Sequence, residues 1–480
     1  MRHHLVGFVG FALGLGWLAS SAGCTSVLPM TTPPVERPVE IKDLPVVVNR
    51  NIDLLFLIDD SPSMADKQAN LAANFPKLLG VLDTIQGGLP NVHIGVATSD
   101  LGTKGADDPQ PGPSIGTPGN GGCIGLGKNG ALQLSGAAVA AGTYLSDIQQ
   151  ADGARIKNYT GNLSDVFARM AKVGAGGCGF EQHLEAVRLA LDPANPANTG
   201  FVRPDALLAI VIIADEDDCS VTHSSLFAAG DTGPFGPQQS FRCTRFGVVC
   251  DQNGATPDAM NAVGPKSQCH PDTDATYLTS VSTTAAFVKG LKSDPRNVIV
   301  AALAGTTEPF AVELRAPSGT AAPIPALAHS CVYVDGDGKP ELADPAIRIK
   351  SFLDQFPDRS AFAPICQQDL SGSLQQIGEL LRTAIGDPCI EGKLSDVDPK
   401  AAGPQYDCAV STVLNPATES EIVMPRCTPE DGSATNAPCW HLVTDPASCP
   451  RSDHLLVKIE GEEMLPRDAH VVAKCAIDPK

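Results

Sequence analysis

Asp59, Ser61 and Ser63 place one carboxylate and two hydroxyls at alternate positions of the run Asp59-Asp60-Ser61-Pro62-Ser63. Alternate residues of a tight loop can turn the same way, so the run offers three hard oxygens to one point. Hard oxygens suit Mg2+, Mn2+ or Ca2+ and not Zn2+ or Cu2+. A second carboxylate, Asp215, closes another apolar run, Ala209-Ile210-Val211-Ile212-Ile213-Ala214. The ten histidines are scattered, with no paired spacing for zinc and no partner motif for a Ser or Cys nucleophile, and each reads as an ordinary surface or core histidine.

Other runs imitate chemistry without its setting. Gly112-Pro113-Ser114-Ile115-Gly116 fits a hydrolase elbow, which needs a strand before it and a helix after it; here prolines crowd both sides. Gly125-Leu126-Gly127-Lys128-Asn129-Gly130 approaches a phosphate loop, but Asn129 stands where Ser or Thr is needed and no strand precedes it. Asp335-Gly336-Asp337-Gly338 with Glu341 has some acids of a calcium loop without its spacing, and reads as a polar turn. Asp215-Glu216-Asp217-Asp218 reads as a solvated loop in which Asp215 alone matters; the alternative gives Asp217 a contact near the ion, or a second ion.

The elements that must position these residues alternate in type. Residues 54–58 form a continuous apolar run, short enough for a strand buried on both faces. Strands are also expected at 92–98, 207–214, 298–303 and 361–365. Helical spacing marks 64–82, 163–173, 181–191, 280–291, 347–356 and 374–385. Such alternation predicts an α/β fold, a mainly parallel sheet with helices on both faces. Three long connections interrupt it, at about 101–160, 219–275 and 306–345. Each follows the carboxyl end of a strand, and open α/β sheets place ligands at that edge. Loops of this length are functional or disordered, and Cys123, Cys219, Cys243, Cys250, Cys269 and Cys331 in or beside them point to stapled loops.

With its preceding run Asp53-Leu54-Leu55-Phe56-Leu57-Ile58, Asp59-Asp60-Ser61-Pro62-Ser63-Met64 resembles the metal-ion-dependent adhesion site of a von Willebrand factor A (VWA) domain. Asp215 matches that family's later aspartate. The resemblance covers about 49–386 and implies a Rossmann-like fold with the ion at the top of the sheet. It also implies an open coordination position that a partner's acidic side chain fills. The family's Thr ligand is missing: Gly176-Gly177-Cys178-Gly179-Phe180-Glu181-Gln182-His183-Leu184 puts Phe180 or Glu181 in its place. Glu181 either supplies the missing oxygen or caps the helix that follows, where negative charge is favoured. The expected metal set is Asp59, Ser61, Ser63 and Asp215 with Glu181, and the expected ion is Mg2+, with Ca2+ or Mn2+ open.

Composition places the chain outside the cytosol. Residues 1–23 read as an export signal, with Arg2, an apolar stretch over 5–18 and small residues before Cys24. The arrangement resembles a lipoprotein signal, in which Cys24 is lipidated, although Ser21 stands where Leu is usual. The alternative is an ordinary cleaved signal with an incidental cysteine. No second apolar run is long enough to span a bilayer. Setting Cys24 aside leaves fourteen of fifteen cysteines, an even number that reads as a disulfide framework. Residues 24–48 are Pro-rich and read as an extended tether. Residues 387–480 carry six cysteines and short β-like runs, reading as a small disulfide-held β domain.

The net charge of −20 without a basic patch argues against nucleic acid. No general base or nucleophile stands beside the metal loop, so binding is expected and not catalysis. The expectation is an adhesion protein of the cell envelope, lipid-anchored to the outer membrane or cell surface. It would engage a protein, peptide or glycan through its metal. The alternative is a structural envelope protein whose metal only stabilises the fold.

Overall fold

The computed structural model describes residues 38–45, 49–85, 88–230, 233–316, 322–334, 338–386, 388–401, 403–413, 421–430, 433–446, 449, 453–466 and 469–478. Cys24, the export signal and Asp335-Gly336-Asp337 lie outside them.

The chain enters through β1 (Val39–Pro45) and runs from β2 (Asn51–Ile58) through the Asp59 loop into α1 (Ala65–Leu82) and β3 (Asn91–Thr98). The first insertion carries β4 (Leu145–Gln149) and β5 (Arg155–Lys157), followed by α2 (Leu163–Met170), α3 (His183–Leu191) and β6 (Leu207–Ile213). The second holds α4 (Phe241–Gly247), β7 (Val248–Gln252), α5 (Pro257–Asn261) and β8 (Gly264–Pro271). After α6 (Val281–Gly290) and β9 (Val298–Ala304), the third holds β10 (Phe310–Arg315), β11 (Ile324–Leu327), β12 (Cys331–Val334) and β13 (Pro340–Ala343). The α/β part closes with α7 (Ile347–Leu353), β14 (Ser360–Pro364) and α8 (Ser371–Ile385). Beyond it come β15 (Cys408–Val413), β16 (Glu421–Met424), β17 (Cys439–Thr444), β18 (Leu455–Glu460) and β19 (His470–Ala476).

The central sheet has seven strands in the order β14-β9-β6-β2-β3-β4-β5. Its first five strands are parallel. Its last two are antiparallel, so the sheet is mixed and not purely parallel. Burial on both faces explains the unbroken apolar runs. Ile52, Leu54, Phe56 and Ile58 pack with α1, α2 and α8 on one face, while Leu55 and Leu57 pack with α3, α6 and α7 on the other. Each such side chain contributes roughly 1.5–3 kcal/mol.

Three expectations need correction. Residues 101–160 are not only loop, because β4 and β5 return to the central sheet. Their apolar positions are too few to announce strands: β4 reads Leu-Ser-Asp-Ile-Gln and alternates in burial. Residues 39–45, expected in the Pro-rich extended tether, form β1, which pairs antiparallel with β19 and joins the sheet β1-β19-β15-β16. Leu44 buries itself in that sheet's core, which outweighs the extended bias of the flanking prolines. Helix α3 begins at His183 and not at Glu181.

The second and third insertions are not separate loops. Strands β7 and β8 pair with β10 and β11 in one antiparallel sheet, β11-β10-β8-β7. Disulfides Cys123–Cys178, Cys219–Cys243, Cys250–Cys269 and Cys331–Cys366 staple the insertions. Cys389–Cys449, Cys408–Cys475 and Cys427–Cys439 hold the C-terminal strands. Seven disulfides among the described residues place the folded chain in an oxidising compartment. Among these residues no helix is long and apolar enough to cross a membrane.

Candidate metal centre

Strands β2 and β6 are neighbours at the point where strand order reverses, and Asp59 and Asp215 follow their carboxyl ends. The Asp59 amide extends the ladder by donating to the Ile213 carbonyl at 2.9 Å. The loop is then tied internally. Asp59 Oδ1 accepts from the Ser61 amide at 2.7 Å and from Ser99 Oγ at 3.3 Å. The Ser61 and Ser63 hydroxyls stand 3.1 Å apart. Gln68 on α1 donates to the Asp59 carbonyl at 3.0 Å. Asp59, Ser61 and Asp215 are buried.

The glycine-rich stretch before α3 packs against the same loop. The Gly177 amide donates to the Asp60 carbonyl at 2.8 Å, and a Cβ on Gly177 would stand 2.4 Å from Asp60 Oδ1. That closeness requires glycine in the stretch that the family resemblance aligns with a ligand-bearing loop. Glu181 follows it, buried, and does not cap α3. The cap comes from the loop after β6: Asp218 Oδ1 accepts from the Leu184 amide and Ser220 Oγ from the Glu185 amide, both at 2.8 Å. Asp217 likewise accepts from the amides of Arg348 and Ile349 at the start of α7. Asp218 Oδ2 also pairs with Arg348 at 3.0 Å. Asp217 and Asp218 are therefore helix-end acceptors and not a solvated run.

Charge in this corner is unbalanced. Lys67 Nζ lies 3.0 Å from Asp215 Oδ2 and 2.9 Å from Glu341 Oε2, and donates to the Ser63 carbonyl at 3.2 Å. Burial pulls the Lys67 pKa down, but Asp215 and Glu341 outweigh it and raise its pKa. Asp60 is answered by Lys128 at 2.5 Å, the lysine of the phosphate-loop look-alike; burial still lifts Asp60 to about 6. Burial lifts Asp215 to about 6, with Asp59 adding to the rise and Lys67 opposing it. Glu181 is pushed well above the usual carboxylate range by burial, then by Glu216 and Asp59. Glu216 is pushed up by burial, then by Asp344 and Asp215.

Four carboxylate oxygens here, Asp59 Oδ2, Asp60 Oδ1, Asp215 Oδ1 and Glu341 Oε1, are buried without a hydrogen-bond partner among the described residues. Each orphan costs about 1–3 kcal/mol unless something compensates it. Ser63, Glu181, Asp215 and Glu216 line a cleft of about 250 Å3, walled by Phe241 of α4, Leu327 of β11 and Asp344. The donor set is oxygen-rich and leans on the serine hydroxyls. Among the described residues no three His, Cys, Asp or Glu side chains form a metal-holding group by themselves. Orphaned oxygens plus excess negative charge fit a hard divalent cation.

The structure thus gathers Asp59, Ser61, Ser63, Asp215 and Glu181 at one sheet edge. The motif does not reveal Lys67, Glu341, Lys128 or His183. Lys67 had a usable signal, since it follows Ser63 by four residues on the helical face that meets the loop. Glu341 had none.

No protein-family model matches the chain. No curated protein matches it either. Among solved structures it is similar to the pilus adhesin SpaC from Lactobacillus rhamnosus GG at 10% identity, over 90% of this chain and 40% of that one, with a TM-score of 0.30. It is similar to the conserved hypothetical protein BatB from Bacteroides thetaiotaomicron at 11% identity, over 69% and 98% of the two chains, with a TM-score of 0.26. A von Willebrand factor type A structure from Catenulispora acidiphila is similar at 9% identity over 94% and 68%, with a TM-score of 0.24. The chain spans 40% of the length of that adhesin. Likenesses this weak carry no functional argument.

Proposed function

We propose that this chain is an exported binding protein that engages a protein, peptide or glycan through a divalent cation at the carboxyl edge of its central sheet. Asp59, Ser61, Ser63 and Asp215 would hold the ion, with Glu181 beside them. The ion would supply a Lewis-acidic position for an oxygen of the partner. The chain's own residues arrange that position: Lys67 restrains Asp215, Ser99 and the Ser61 amide fix Asp59, and the stapled insertions shape the cleft. The orphaned Asp59 Oδ2 and Asp215 Oδ1, the latter on a residue that lines the cleft, carry this reading. Binding and not catalysis is part of it, as are a lipid on Cys24 and a place at the outer membrane or cell surface.

A second reading, a cation that only stabilises the fold, draws support from Lys67, which already ties α1 to Asp215 and to Glu341 of β13. One experiment separates the two. Titrate the purified full-length chain with Mg2+, Mn2+ and Ca2+, follow unfolding, and probe peptide and glycan arrays with and without chelator. An ion present at a hundredfold excess over its Kd raises stability by about 2.7 kcal/mol, and Asp59→Asn should abolish the gain. Chelator-sensitive array binding supports the adhesive reading; stabilisation without it supports the structural one. No ion bound at millimolar concentration ends both.

A further inference from the structure

His183 opens α3 with its side chain fully buried at 0% exposure, and neither ring nitrogen has a hydrogen-bond partner among the described residues. A neutral imidazole carries one donor and one acceptor, so burying both unanswered needs a cause. Its Nε2 stands 3.5 Å from Asp59 Oδ2, the atom of the metal loop that is itself orphaned. At that separation the pair makes no good hydrogen bond. It is an ion-pair distance when the ring is protonated, and it is also the spacing of two neighbouring donors on one ion, since bonds of about 2.1 Å place such atoms roughly 3.0–3.5 Å apart.

The ring is held there by its neighbours. The Gln182 amide donates to the Ser99 carbonyl at 3.0 Å, and Gln182 Oε1 accepts from the Val221 amide at 3.2 Å. On the other side the Leu184 amide is fixed by Asp218. Upstream, the Cys123–Cys178 disulfide and the contact of Gly177 with Asp60 anchor the approach to α3. The backbone on both sides of His183 is thus tied to the strand ends that carry the loop.

We infer that His183 donates a ring nitrogen to the ion held by Asp59, so that the site prefers a divalent ion accepting mixed nitrogen and oxygen donors, of which Mn2+ is the test ion, over Mg2+ and Ca2+. This rests on the metal reading above. Imidazole is a poor ligand for Mg2+ and Ca2+, whereas the first-row ions accept it from Mn2+ onward with an affinity that rises along the series. The nitrogen takes up part of the coordination left by the missing threonine, and it shifts selectivity in a direction that oxygens alone would not.

The test is pulsed electron paramagnetic resonance on the full chain loaded with Mn2+, with natural and 15N-histidine labelling, alongside binding titrations. The expected result is nitrogen modulation that changes with the label, and Mn2+ binding at least about tenfold tighter than Mg2+. His183→Gln should remove the modulation and cost about 10–100-fold in Mn2+ affinity, with little change for Mg2+. Bound Mn2+ without nitrogen modulation in the unaltered chain overturns the inference and leaves the metal reading standing. That outcome needs no variant to fold. Equal losses for all ions in His183→Gln would make His183 a residue that only steadies Asp59, which also overturns it. If no ion binds at all, the metal reading falls and this inference with it.

Discussion

At the scale of single residues, Lys67 is the most informative position that the motif did not announce. Its ammonium touches two buried carboxylates, so removing it leaves Asp215 without a cation and Glu341 with only the exposed Lys339. Deleting one partner of a buried pair typically costs about 3–5 kcal/mol. Lys67→Met should therefore lower cation-free stability by that order in urea denaturation, and added Mn2+ or Mg2+ should recover more stability in the variant than in the parent chain. Equal recovery in both would mean that the ion does not share this charge. The oxygens of the loop were legible because they sit within five residues and follow an apolar strand. The pairing of Lys67 with Glu341 was not, because 274 residues separate them and local spacing holds no record of the contact. Asp217 and Asp218 misled for the same reason: a run of acids looks solvated until helices from elsewhere bring their free amides to it.

At the scale of elements, strands buried on both faces announced themselves, and half-buried or short ones did not. Residues 54–58 of β2 and all of β6 are apolar, with every residue of β6 buried. Strand β1 reads Val-Glu-Ile-Lys-Asp-Leu-Pro, with Val39 and Ile41 exposed and Leu44 buried, inside a stretch whose prolines point to a tether. What decides its structure is β19, paired along all seven residues from the far end of the chain. Leu44→Ala should cost the C-terminal sheet about 2–5 kcal/mol. Limited proteolysis checks this, with cleavage beyond residue 388 appearing before cleavage in the α/β part. A chain begun at residue 49 should show the same order of cleavage. If it resists protease as the parent does, β1 contributes nothing to that sheet.

At the scale of the whole molecule, the two ends of the central sheet have different tasks. The carboxyl edge carries the candidate metal loop and the insertions, two of which fuse into a shared antiparallel sheet beside the cleft. The amino edge receives β1 just before β2 begins, and there His470 of β19 approaches Asp294, shortly before β9, at 3.7 Å. Strand β2 is eight residues long, so about 26 Å of strand separate its entry from Asp59. On the proposed reading, a chain tethered at Cys24 would enter through β1 at the amino edge, away from the cleft, and would leave the cleft open to a partner. Cys24→Ala should then move the protein from the membrane fraction to the soluble one. Its affinities for ion and partner should stay within about twofold, as for sites too distant to couple. A tenfold change would mean that tether and site communicate, and retention in the membrane fraction would mean that something other than Cys24 holds the chain there.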